Sequence, residues 1–229
     1  MNTTVIINLL CVIVASYLVG SINISFFLSK IHGYDIREHG SGNAGASNVV
    51  IMMGKKVGVV VALLDIFKAF LVVFIVMKIY NSAVLGALSG TSVMLGHIFP
   101  FYMGFRGGKG LATLGGTILA LDPKMFVVLL AIAIVMAVVV NYICVVPMSM
   151  SVIFACIYGK TNNSLTAFLI LMIAAVAINY RHIENIQRIM NGTEAHFSLL
   201  WNRKAEAERL GKKYDEEKGY QSIDPKLHK

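Results

Sequence analysis

Charge is what this sequence has least of. Only 14% of its 229 residues are Asp, Glu, Lys or Arg, against roughly 25% in a soluble domain. With 57% hydrophobic residues, that shortage excludes an ordinary water-soluble domain and points to one polytopic membrane domain. Cysteine is also scarce. Cys11, Cys144 and Cys156 lie far apart in apolar stretches, which argues against a zinc site and for simple packing. Familiar catalytic spacings are missing too. Five residues beyond His32, His39, His97, His182 and His196 come Arg37, Ala44, Tyr102, Gln187 and Trp201, so the H-x4-D signature of one acyltransferase class is absent. There is no G-x-S-x-G elbow and no H-E-x-x-H pair. No metal site or cofactor is expected, and no internal repeat or low-complexity tract breaks the chain.

Long apolar runs are what the sequence does have. A spanning helix needs about 20 apolar residues. Residues 5–28, 57–79, 83–103, 125–142 and 165–180 meet or approach that length. Residues 111–121 are apolar but short, and 144–158 are short and carry Pro147. The expected fold is an all-α transmembrane bundle of about seven spans. The first run has no basic flank before it and no clear cleavage site, so it reads as a retained span, not a signal peptide.

The charges orient the bundle. Lys30, Arg37, Lys55, Lys56, Arg106 and Lys109 fall in segments that share a side with the tail, which adds ten more cations after Tyr180. The opposite turns hold only Lys78, Lys124 and Lys160. The positive-inside bias places the N-terminus outside and the C-terminus in the cytoplasm. The net charge of +8 thus fits anionic lipid headgroups, and nucleic acid is not expected as a partner. Residues 1–196 read as the membrane domain. Residues 197–229 read as a polar cytoplasmic tail, a short surface helix followed by disorder.

Three polar stretches interrupt the grease. "HGSGNAGASNV" contains G-x-G-x-x-G from Gly40 to Gly45, with Asp65 twenty residues on. It is no dinucleotide fingerprint, because no strand precedes it and Asp65 lies in an apolar run. It reads either as a flexible, capping loop or as an anion pocket lined by Ser41, Asn43, Asn48 and backbone N–H groups. "GHIFPFYMGFRGGKGLAT" nearly matches a P-loop, but Met103 stands at the first glycine and Gly110 at the magnesium-binding hydroxyl. Glycines still let backbone approach an anion, Lys109 supplies charge, and a helix starting near Leu111 aims its N-terminus at the loop. Helix packing plus positive-inside cations is the bland reading. "RHIENIQRIMNGTE" opens where the last run ends. His182 and Asn185, three apart, share a helix face at the membrane surface, and an interfacial amphipathic helix is the bland reading for Arg181 and Arg188. Asp65 and Lys68, one turn apart inside a span, read mainly as a structural pair, although an intramembrane ion can mark function.

These three stretches, in this order, resemble the signature motifs of the bacterial acyl-phosphate:glycerol-3-phosphate acyltransferases. The likeness extends over residues 17–194 and includes "LLDIFKAF". It implies a seven-span inner-membrane enzyme with cytoplasmic motifs. The implied reaction moves an acyl chain from acyl phosphate to the 1-hydroxyl of glycerol 3-phosphate, giving lysophosphatidic acid and phosphate, the first step of phospholipid synthesis. The resemblance assigns His182 and Asn185 to the reacting groups, and Ser41, Asn43, Asn48, His97, Gly107, Gly108 and Lys109 to phosphate handling. Glu194 supports the third motif. The bilayer and the enzyme that produces acyl phosphate are the implied partners. Three positions depart from the pattern. Ile51 and Asn141 stand where the family usually has arginine, and Cys144 where it has a hydroxyl. A transporter of anionic phosphorylated metabolites and a paralogue with altered or lapsed activity are the rival readings.

Overall fold

The computed structural model describes residues 3–200, 202, 205, 206, 208 and 209. Ten α-helices in this range are connected by loops and three short 3-10 turns: α1 Thr3–Ser21, α2 Ile24–Ile31, α3 Ala46–Met53, α4 Lys55–Tyr80, α5 Ala83–Ile98, α6 Leu111–Leu121, α7 Pro123–Val140, α8 Val145–Thr161, α9 Leu165–Arg181 and α10 Ile183–Met190. The all-α membrane architecture expected from the apolar runs is what the structure has. Five helical segments are long and apolar enough to cross a membrane, and α6 and α8 are shorter apolar helices.

The bundle is apolar outside, and its interior mixes large apolar side chains such as Met94, Ile98, Phe154 and Ile178 with small and polar ones. Leu10, Phe67, Val127 and Val139 face outward from α1, α4 and α7, as lipid-facing side chains do. Ser16, Ser89, Thr91, Ser92, Thr113 and Thr117 are buried. Helices in lipid associate through close packing and interhelical hydrogen bonds, since tails are as apolar as leucine. The contact of α1 with α5 works this way. Ser16 Oγ lies 3.0 Å from Ser89 Oγ. A Cβ at Gly96 would sit 2.2 Å from the Tyr17 carbonyl oxygen, and one at Gly20 equally close to that of Val93.

The first apolar run is not one helix. It breaks at Ile22 and Asn23, because Asn23 turns to extended backbone and caps α2 by accepting from Phe26 N–H. The break has uses. Asn23 Nδ2 donates to the Ala44 carbonyl at 2.9 Å, and the freed Ile22 carbonyl accepts from Lys68 Nζ at 2.6 Å. The first motif is not a simple loop either. It runs into α3, and Arg37 ties it to the second motif by donating to the Met103 carbonyl at 2.6 Å. Most of the tail, including Trp201 and residues 210–229, lies outside the described residues.

Candidate functional site

The second motif folds back on the end of α5. Gly107 N–H donates to the Ile98 carbonyl and Gly108 N–H to the His97 carbonyl, both at 3.1 Å. A Cβ at 107 would lie 2.2 Å from the His97 oxygen, and one at 108 would lie 2.1 Å from His97 Nε2. Only glycine lets the loop rest on the imidazole. The ring is itself fixed from below. Lys68 Nζ donates to His97 Nδ1 at 3.1 Å and pairs with Asp65 at 2.6 Å. The Asp65–Lys68 pairing expected from the sequence is therefore present, and it reaches further than expected. With Nδ1 accepting, His97 carries its proton on Nε2, toward Gly108.

The first motif arrives beside this loop. A Cβ at Gly45 would lie 4.0 Å from Gly108 Cα and 2.7 Å from Asn43 Nδ2. Asn43 is buried, and its Oδ1 has no hydrogen-bond partner among the described residues. Ser41 is exposed. Asn48 is fully buried and spent on its own loop. Its Nδ2 donates to the Ile36 and His39 carbonyls, and its Oδ1 accepts from Ser41 N–H, each at 2.9 Å. It shapes the motif from within.

The third motif supplies the other wall. His182 caps the end of α9, and its Nδ1–H donates to the Ile178 carbonyl at 2.8 Å. That leaves the Nε2 lone pair open. Asn185 lies on the next turn, and both side chains are buried. Lys109 Nζ donates to Asn185 Oδ1. Asn185 Nδ2 donates to Glu194 Oε1 at 2.5 Å, and Arg188 Nε donates to Glu194 Oε2 at 2.7 Å. A line of polar contacts thus runs Lys109–Asn185–Glu194–Arg188, joining motifs two and three.

Arg181, for which an interfacial helix is the bland reading of the sequence, lies against the second motif. Its Nη2 donates to the Gly107 carbonyl at 3.4 Å, and its buried Nε lacks a partner among the described residues. A basic residue opening the third motif is the available signal. Lys109 and Arg181 therefore meet at the glycine turn, and Arg188 stands behind them through its pair with Glu194. Desolvation, then the charges of Arg188 and Arg181, push the Lys109 ammonium down to about 8 against the opposing pull of Glu194 and Glu184. The excess positive charge and unspent donors suit a phosphate. Burial, with Glu194's charge adding, pushes the Cys144 thiol up to about 11, so it stays protonated and is a poor nucleophile.

α6 starts directly after Gly110 without a side-chain cap, so its first N–H groups open toward this loop as expected. The departures are placed as well. Ile51 lies in α3. Asn141 ends α7 in left-handed conformation, φ 62°, and holds the chain after the third motif: Phe197 N–H donates to its carbonyl at 2.7 Å and Ser198 N–H to its Oδ1 at 2.9 Å.

Residues 10–192 match the model of a family described as glycerol-3-phosphate acyltransferase. Curated proteins of that name are similar over most of their length. One from Fusobacterium nucleatum is 35% identical over 193 residues, 82% of this chain and 98% of the relative. One from Geobacillus kaustophilus is 37% identical over 186 residues, 80% and 93% of the two chains. The crystal structure of PlsY (YgiH), an integral membrane glycerol 3-phosphate acyltransferase, in its glycerol 3-phosphate form superposes with a TM-score of 0.77 at 31% identity, covering 84% of this chain and 97% of that one. Its lysophosphatidic acid form gives 0.73 at 30% identity, covering 82% and 95%.

Proposed function

The chain belongs to the glycerol-3-phosphate acyltransferase family, and from that premise we propose that it takes its acyl group from acyl phosphate at a site on the cytoplasmic face of the bacterial inner membrane. It is an integral membrane acyltransferase. The observation that supports the reading is the meeting of Lys109 and Arg181 at the Gly107–Gly108 turn, with the charge of Arg188 acting on Lys109 from behind. Both proposed substrates carry phosphate, and the donor carries a lipid tail. A polycationic turn at the end of a membrane bundle meets both requirements. The glycerol 3-phosphate and lysophosphatidic acid forms of the similar structure support glycerol 3-phosphate as acceptor and lysophosphatidic acid as product.

In this reading Lys109 and Arg181 hold phosphate oxygens, with the amide of Asn43 completing the pocket and Ser41 at its rim. Asn48 and His97 position the two loops. The 1-hydroxyl of glycerol 3-phosphate attacks the acyl carbonyl carbon, forming a C–O bond. The bond from that carbon to the phosphate oxygen breaks, and phosphate leaves with the electron pair. His182 Nε2 accepts from the attacking hydroxyl and orients it. The departing phosphate takes the proton. No acyl-enzyme forms, in keeping with the protonated Cys144. Orientation and charge neutralisation then supply most of the rate. The test is turnover of purified protein with labelled glycerol 3-phosphate and either acyl phosphate or acyl thioester. Lysolipid and stoichiometric phosphate from acyl phosphate are expected. Turnover with thioester alone would sink the donor assignment.

A further inference from the structure

The family match ends at residue 192, but the ordered contacts of the site do not. Just past it, Thr193 N–H and Glu194 N–H both return to the Arg188 carbonyl, at 2.8 and 3.1 Å. This turn is what aims the Glu194 carboxylate at Asn185 and Arg188. Its outer carbonyls are held by one side chain from further along the tail. Arg209 Nη1 donates to the Gly192 carbonyl at 2.8 Å, and Nη2 donates to the Glu194 carbonyl at 2.7 Å.

Arg209 is itself fixed. Its Nη2 and Nε donate to Glu206 Oε1 and Oε2 at 2.5 and 3.1 Å, a two-pronged pair that is geometrically specific. Glu206 is buried at 4% exposure, which is uncommon for a glutamate unless it is paired. The same carboxylate accepts from His196 N–H at 2.8 Å, and His196 Nδ1 lies 3.1 Å from it. His196 Nε2 then meets the Tyr142 hydroxyl at 3.2 Å, beside the Asn141 anchor that holds Phe197 and Ser198. The segment is therefore tied at one end to the α7–α8 junction and at the other to the third motif. Position 141, where the family pattern has a cation, here anchors the segment that carries Arg209.

We propose that Arg209 and Glu206 are positioning residues of the acyltransferase site: clamped on the 192–194 turn, they set Glu194 against Asn185 and through it place the Lys109 ammonium. The proposal rests on the assignment of Lys109, Asn185 and Glu194 to the site. A loose tail lying on the protein by chance would not spend a buried carboxylate and a forked guanidinium on two carbonyls of one turn. Arg209 acts through Glu194, and it is not proposed to touch substrate.

The experiment uses the full chain with Arg209→Ala, Arg209→Lys, Glu194→Gln and the Arg209→Ala/Glu194→Gln double variant. Steady-state kinetics with glycerol 3-phosphate and amide hydrogen exchange across 185–194 are read together, with the melting temperature as a check on folding. Arg209→Ala is expected to lower kcat/KM about tenfold, to speed exchange at Thr193 and Glu194, and to leave the melting temperature within about 3 °C. Arg209→Lys, which keeps the charge but not the fork, should fall between. In the Glu194→Gln background the added loss should drop below about twofold, since linked residues are not additive. Full activity or unchanged exchange in Arg209→Ala overturns the clamp, as do additive losses or a loss that only follows a collapse in melting temperature. The site assignment fails separately: a fully active Glu194→Gln variant would show that the carboxylate does not serve catalysis, whatever Arg209 does.

Discussion

Lys109 carries the most exposed claim at the scale of the single residue. Its ammonium donates to the Asn185 amide oxygen, and the pull of Glu194 and Glu184 does not offset burial and the charges of Arg188 and Arg181. Lys109→Ala should lower kcat/KM by roughly ten- to a hundredfold or more, the worth of a charge-assisted contact of about 1.5–3 kcal/mol, with the protein still folded. Near-normal turnover would remove it from the site. Its acidity makes a second test. Because its pKa is depressed to about 8, the free enzyme holds the ammonium below that pH and loses it above. The sign follows: kcat/KM, which reports the free enzyme, should fall as pH rises through about 8. A bound phosphate dianion stabilises the ammonium, so the limb in kcat should lie higher. Lys109→Arg should carry the kcat/KM limb beyond the alkaline range, and an unmoved limb would assign the titration to another group. The lysine is legible in the sequence because glycines clustered around a single cation make a poor packing device and a good anion cradle. Arg181 is not, since an arginine at the end of a span is what the positive-inside bias produces anyway. Only its approach to the Gly107 carbonyl separates the two.

Elements are legible where hydropathy alone decides and illegible where one polar side chain redirects the backbone. The apolar runs locate the helices from α4 to α9 to within a few residues. The first run conceals the break at Asn23, because Ser21-Ile22-Asn23 is too brief a polar dip to interrupt a hydropathy reading. The physical cause is capping: Asn23 accepts from Phe26 N–H more favourably than a continued helix would bury it. Asn23→Leu should therefore destabilise the protein by about 1–3 kcal/mol, the cost of unpaired buried polar groups, seen as a lower melting temperature in detergent. An unchanged melting temperature would show that the junction does not depend on its cap. Asn141 is the converse case. Read as a lost cation, it invites Asn141→Arg as a repair. The structure places it in left-handed conformation with the tail bonded to it, so arginine there should cost stability and free the tail. The expected result is a raised KM for glycerol 3-phosphate in Asn141→Arg, and a lowered KM would restore the reading of position 141 as a missing phosphate contact.

The whole molecule places three motifs, widely separated in the sequence, in one cluster: Gly45 lies beside Gly108, and Lys109 meets Asn185. No pairwise pattern in the chain predicts those meetings. They come from helix packing that brings the end of α5, the start of α6 and the α9–α10 corner together. What hydropathy and charge do predict is which side of the membrane that cluster faces, and this can be tested without reference to activity. In protein freed of Cys11, Cys144 and Cys156, single substitutions Ser41→Cys, Arg106→Cys and Asn191→Cys put a thiol at exposed positions of the three motifs. Lys160→Cys puts one in the exposed last turn of α8, at the opposite end of the bundle by the same charge argument. An impermeant maleimide added to intact cells should label only position 160, and the other three should label after the membrane is opened. All three must behave alike, because a site shared by three loops cannot be split between two compartments. Labelling of position 41, 106 or 191 from outside would overturn the orientation. If only one of them labelled, the shared cluster itself would be in error, and with it the proposal that one phosphate pocket is built from all three motifs.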